Sequence, residues 1–238
     1  MNLRAWALIA LLGGVAAMDS LAAPPAAAWR DDFDTLESWR PVLFPKIPNP
    51  TRYKVVEDGT NRVLQAIAQS SASALASVRT FDVVQTPILH WRWQVQGLFP
   101  SGTGIRKETD DYPLRVYVVF QYDPARAGLG LRMKYELARK LHGEYPPHSS
   151  LNYVWAGRDP GPRVFRSPYT DRSAMVVMRA GPADIDRWVE EQVDIVADYR
   201  AAFGEDPPPR ATLAIMSDTD NTRGSATGRV DYIEIRDQ

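Results

Sequence analysis

From Leu114 to Phe120 the chain alternates: Leu114, Val116, Val118 and Phe120 point one way, Arg115 and Tyr117 the other. β-Branched and aromatic residues with a period of two make a half-buried strand, one face in a core and one outside it. A charged turn, Lys107-Glu108-Thr109-Asp110-Asp111, leads into it. Ile88–Gln96 repeats the pattern, with Leu89, Trp91, Trp93 and Val95 on one face and His90, Arg92, Gln94 and Gln96 on the other. Two such strands commit the chain to sheet, and the outward arginines and tyrosine become the first candidates for chemistry.

The remaining segments fit the same architecture. Tyr53–Glu57 and Arg62–Ala66 flank Asp58-Gly59-Thr60-Asn61, the strongest hairpin signal in the chain. Further strands are expected at 70–77, 151–155, 174–179, 213–217 and 230–236, and an irregular proline-rich arm at 41–50. Leu129, Met133, Leu137 and Leu141 at i+4 spacing predict a helix over 128–142. Ile185, Trp188, Gln192, Val196, Tyr199 and Phe203 predict a second over 182–203, with Gly204 as its C-cap. Eight to ten strands, few of them separated by helices, argue for an antiparallel β-sandwich with two helical insertions. No repeat or linker divides residues 29–238, which are read as a single β-sandwich domain.

The N-terminus reads as an export signal. Arg4 precedes an apolar run over 5–17, too short to span a bilayer, and Ser20-Leu21-Ala22 supplies a small-residue cleavage point, with 26–28 as a later one. The expectation is a periplasmic or secreted protein after removal of residues 1–22. The chain has no cysteine, which excludes a disulfide, a thiolate nucleophile and a cysteine-bound zinc. Net charge is -1, from 28 basic and 29 acidic residues, so no global field draws it to nucleic acid or anionic lipid. The three histidines, His90, His142 and His148, share no metal spacing, and no GxSxG elbow occurs.

The segments SASAL, WRWQV, DDYPLRVYVVF, LNYVW, DYRAAFGEDPP and AIMSDTDNT resemble those of a family of exported bacterial proteins known only as a domain of unknown function. The resemblance spans nearly the whole chain after the export signal. It implies a jelly-roll sandwich similar to galactose-binding-like and carbohydrate-binding modules, and it implies no activity.

Candidate residues follow from the outward faces and the charged loops. Arg115, with its planar fork, and Tyr117 would line a concave face, with Asp110 and Asp111 at its mouth. Arg92 would extend that surface if the two strands are neighbours. Tyr153 and Trp155, near a loop, offer a stacking platform, and Asp218 and Asp220 a ligand-facing loop. The loop Asp218–Thr222 also has the spaced Asp and Asn of a calcium loop, although Arg223 and Arg229 stand where an EF-hand needs Gly and Glu. A structural calcium is expected instead where the chain ends meet, between Asp32 and Asp231. These residues point to a carbohydrate or similar polar ligand. A glycoside hydrolase or polysaccharide lyase using an acidic pair with Arg or Tyr stays open, as does an envelope protein-interaction module that uses the two helices.

Overall fold

The computed structural model describes residues 28–97, 104–125, 127–142 and 145–237. The expected export segment and all but the ends of the loop 97–104 lie outside the described residues. In chain order the first seven strands are β1 (Trp29–Asp31), β2 (Trp39–Leu43), β3 (Arg52–Asp58), β4 (Asn61–Gln69), β5 (Ala72–Asp82), β6 (Ile88–Gln96) and β7 (Arg115–Phe120). Then come helix α1 (Leu129–His142), β8 (Ser149–Ala156), β9 (Val164–Ser167), β10 (Thr170–Ala180), β11 (Val189–Asp194), helix α2 (Ile195–Phe203), β12 (Arg210–Asp218) and β13 (Ser225–Arg236).

These strands build a jelly-roll sandwich. One sheet has the order β2-β5-β12-β7-β8-β10-β9; the other runs β11-β6-β13-β4-β3, with β1 also on β13. Every ladder is antiparallel except β8–β10, which is parallel because β9 turns back on the far side of β10. Ladder β13–β6 shifts register between Val230 and Tyr232. At that bulge the partner on the other side of β13 changes, from β4 up to Val230↔Leu64 to β1 from Ile233↔Asp31. The chain ends therefore do lie side by side.

The alternation at β6 and β7 is the core. Val116, Val118 and Phe120 of β7 face Leu89, Trp91, Trp93 and Val95 of β6 across the sandwich, all in one cluster. Trp91 and Trp93 meet edge to face at 5.4 Å, Trp91 lies 5.4 Å from Tyr153, and Trp93 lies 5.8 Å from Trp155. Burying side chains of this size stabilises by roughly 1.5–3 kcal/mol each. This corrects the stacking-platform reading: Tyr153 and Trp155 sit on the inward face of β8, 0% and 1% exposed, because residues 149, 151, 153 and 155 share the core side.

The helix expected over 182–203 is also corrected. Its first half is β11, whose Val189 and Val193 alternate into the core opposite Trp93 and Leu89. The helix starts only at Ile195, where the Asp194 carboxylate accepts from Ala197 N at 2.9 Å. It ends as expected at Gly204, with φ 73° and its N–H donating to Arg200 O. Trp188 is not packed on a helix face. Its indole donates to Asp58 at 2.9 Å, and Arg92 lies 5.1 Å over its ring.

Candidate functional site

Strand β7 runs between two polar regions of opposite character. At its Arg115 end, a 3-10 turn at Lys107–Thr109 delivers Asp110, Asp111 and Tyr112 onto the loop after β12. The turn closes tightly: Gly104 adopts φ +68°, and a Cβ there would lie 1.4 Å from the Tyr112 hydroxyl oxygen. Gly228 plays the same part on β13, where a Cβ would come 2.9 Å from Pro113 O.

The Arg115 guanidinium is 1% exposed. Its Nε donates to Asp218 Oδ1 at 2.9 Å, and its Nη2 to Asp218 Oδ2 and to Asp110 O, the latter at 2.7 Å. Nη1 donates to Asp110 Oδ1 at 3.3 Å. The fork is thus taken up by the protein's own oxygens. Asp111 accepts four bonds without a cation: Asn221 N at 3.2 Å and Nδ2 at 3.1 Å, Thr222 N and Oγ1 both at 2.6 Å. Tyr117 is buried beside them, its hydroxyl 3.4 Å from Met216 Sδ.

One guanidinium serves two buried carboxyls here, with a third, Asp111, beside them. Burial pushes the Asp110 and Asp218 carboxyls up, Arg115 pulls them back, and Asp111 pushes them up again. Asp110 is raised to about 6. Carboxylate oxygens of Asp111, Asp218 and Asp220 lie within 4.8 Å of one another, the only such acidic group among the described residues and one that could hold a metal ion.

Four predicted residues therefore meet in one knot, with Asp220 and Tyr117 beside it. Arg92 is elsewhere: β6 belongs to the other sheet, so its outward face is on the opposite side of the sandwich from Arg115. The proposed calcium pair is also corrected. Asp231 pairs with Arg92 at 2.7 Å, and Asp32 with Arg30 at 2.8 Å on the surface. Each carboxylate already faces an arginine, and neither belongs to the acidic group above.

At the other end of β7, His148 N donates to Phe120 O at 2.8 Å, placing His148 and Ser149 at the mouth of β8. Here the structure opens. A cavity of about 260 Å³ is lined by His148, Ser149, Arg166, Asp171, Arg172, Tyr199, Phe203 and Glu205. A second, of about 170 Å³, shares His148 and Glu205 and adds Tyr122, Asp123, Leu131 and Asp206. Arg172 Nη1 lies 3.1 Å from His148 Nε2. An arginine only donates, so Nε2 accepts and Nδ1 carries the proton toward Ser149 Oγ at 2.9 Å. Ser149 Oγ in turn lies 3.0 Å from the Tyr199 hydroxyl, which burial pushes above its ordinary range. Arg166 sits 4.3 Å over the Phe203 ring and donates to Asp171 O at 2.8 Å. Among the described residues, neither Arg166 nor Arg172 has a carboxylate within 4.0 Å.

The sequence reading missed this cleft. Its one local signal is Pro146-Pro147-His148-Ser149 before a strand, which pins a histidine at a strand mouth, followed by arginines at 166 and 172. The cleft gathers them from β8, β9, β10 and α2, which no spacing rule connects.

Comparison with known proteins closes the description. Residues 37–234 match the family described as "Protein of unknown function (DUF3047)". No curated protein sequence matches the chain. Among solved structures, the chain is similar to a family 11 carbohydrate-binding module from Clostridium thermocellum, with TM-score 0.42, 9% identity and coverage of 89% of this chain and 96% of that one. It is similar to a family 30 carbohydrate-binding module of a Clostridium thermocellum cellulase, with TM-score 0.38, 11% identity and coverage of 90% and 94%. It is also similar to endoglucanase 3 of family GH12 from Trichoderma harzianum, with TM-score 0.39, 11% identity and coverage of 90% and 100%.

Proposed function

The chain belongs to the DUF3047 family of proteins of unknown function, and from there we propose that it is an exported carbohydrate-binding protein whose ligand occupies the cleft around His148, Arg172 and Glu205. The observation that carries this reading is the lining of the two cavities, which share His148 and Glu205. Planar donors (Arg166, Arg172), acceptors (Asp171, Glu205), small hydroxyls and imidazole alternate around aromatic walls from Tyr122 and Phe203. Neighbouring sugar hydroxyls each donate and accept, and bidentate arginine and carboxylate groups suit them. Arginines without a carboxylate partner keep their donors for a ligand. The cavities stand near the lower edge of the ~300–1,000 Å³ typical of small-molecule sites, which suits a short saccharide.

In this reading Arg115, Asp110, Asp111 and Asp218 hold loops in place, and Arg92 lies outside the site. A structural calcium belongs, in this reading, with Asp111, Asp218 and Asp220, which have only the Arg115 guanidinium on Asp218 among them, whereas Asp32 and Asp231 each face an arginine of their own. In the same reading residues 1–22 are an export signal, and the remaining chain works in the periplasm or outside the cell as one sandwich domain over 29–238.

The test is a thermal-shift screen against a glycan panel, followed by calorimetric titration of any hit. A ligand that binds only the native state raises the melting temperature. The reading requires a hit whose affinity drops in Arg172→Ala and Glu205→Ala. A hit that both variants bind as tightly as wild type sinks this site. Product analysis of the bound glycan then decides between binding and turnover. Melting with calcium and with EDTA tests the ion separately.

A further inference from the structure

Helix α1 carries a feature that neither the cleft nor the core uses. Leu129, Met133 and Leu137 are 80%, 75% and 60% exposed, a ridge at i, i+4, i+8. The opposite side of the helix is its docking face: Tyr135 is buried, stacked at 3.9 Å on Tyr122 and donating to Pro147 O at 3.0 Å. The exposed ridge is therefore not an undocked core face of a displaced helix. The helix already packs by its other side.

Around the ridge the cations of the helix outnumber its carboxylates four to one. Arg132, Lys134, Arg139 and Lys140 oppose the single carboxylate Glu136, so α1 carries +3 within a chain of net charge -1. Glu136 is paired with Arg139 at 3.0 Å. At about 100° per residue the three apolar side chains cover roughly 80° of the helix, with Lys140 within that arc, Glu136 at its Leu129 edge, Lys134 beyond one flank, and Arg132 and Arg139 beyond the other, Arg132 donating to Pro124 O at 2.6 Å. We propose that α1 docks the protein on an anionic lipid surface, the ridge entering the headgroup boundary and the flanking cations meeting lipid phosphates.

The side-chain chemistry favours lipid over a protein partner. Protein hot spots are built on Trp, Tyr and Arg anchors in fitted pockets. This ridge is flexible aliphatic side chain with Lys140 within its arc and Lys134 beside it, which suits a fluid apolar layer under a negative surface. The proposal is independent of what fills the cleft.

Because the chain has no cysteine, a single introduced one reports on α1 alone, apart from the N-terminal apolar run. Gly130→Cys is suitable, since a Cβ there meets nothing within 4 Å, and it carries a polarity-sensitive fluorophore; Val84→Cys, 66% exposed on another element, is the control. The full chain is titrated with phosphatidylcholine vesicles with and without phosphatidylglycerol. The expected result is a blue shift at Gly130→Cys only with the anionic vesicles, reversed by salt and weakened about tenfold or more by Lys134→Glu with Lys140→Glu. The Val84→Cys label stays unchanged. No response at low salt, an equal response to both vesicle types, or an equal response at both labels overturns the proposal. A concentration-dependent shift without vesicles also overturns it and assigns the ridge to a second copy of the chain.

Discussion

The two ends of β7 use the same chemistry to opposite effect. At the Arg115 end, an arginine and three aspartates are enclosed, and the protein supplies nearly every hydrogen-bond partner they need. At the Phe120 end, two arginines and several carboxylates surround open volume, and no carboxylate comes within ion-pair distance of either arginine among the described residues. An arginine whose fork is filled internally is a clamp. One that faces a cavity with no carboxylate on its fork is, in the proposed function, a means of recognition. The difference lies in what the fold places around the side chain, not in the side chain.

The comparison breaks most visibly at Arg115. Arg115→Ala leaves Asp110 and Asp218 buried without their cation and is expected to destabilise by about 3–5 kcal/mol, against a small stability change for Arg172→Ala. Thermal and denaturant melts measure both, and equal losses at the two ends would erase the distinction. Next in size is Gly104→Ala, which needs a left-handed backbone and space held by the Tyr112 hydroxyl. It is expected to cost about 1–3 kcal/mol in the same melts. In the cleft the weights reverse: Arg172→Ala and Arg166→Ala should keep stability within about 0.5 kcal/mol. Each should weaken glycan binding by about tenfold or more, read by calorimetry.

The smallest effect is in pH. The Asp110 carboxyl is raised to about 6 by burial, so the native state holds its proton more tightly than the unfolded chain. The stability linked to that proton is fully present below the ordinary carboxylate range and is lost as pH rises through about 6. Denaturation midpoints of wild type should therefore fall between pH 4.5 and 7 relative to those of Asp110→Asn. A difference that is flat, or that rises with pH, contradicts a raised Asp110 carboxyl in the knot.

Much of this was legible one strand at a time. The alternation at 88–96 and 114–120 correctly assigned each core face, because period two is a local property of extended backbone. The hairpin at Asp58–Asn61 and the Gly204 cap followed from local turn chemistry. Trp155 and Arg92 show where that reasoning stops. Trp155 was judged by its nearness to a loop, but its register on β8 turns it into the core. Arg92 and Arg115 are both outward-facing, yet on opposite sides of the sandwich, because β6 and β7 belong to different sheets. The stretch 182–203 misled because i+4 spacing and alternation coincide there, and packing of Val189 and Val193 against β6 resolved it.

By itself, then, the sequence determined the family, the sandwich class and the inward face of its best strands. The family is carried by its sequence motifs, and the class and faces by residue periods that are local to each strand. Only the tertiary structure decided that one end of β7 is closed around Arg115 and that a cleft opens beyond the other, at His148. Whether a polar side chain binds a ligand or its own protein depends on what covers it. That cover comes from loops and helices far away in sequence: the 218–222 loop at one end, and β9, β10 and α2 at the other.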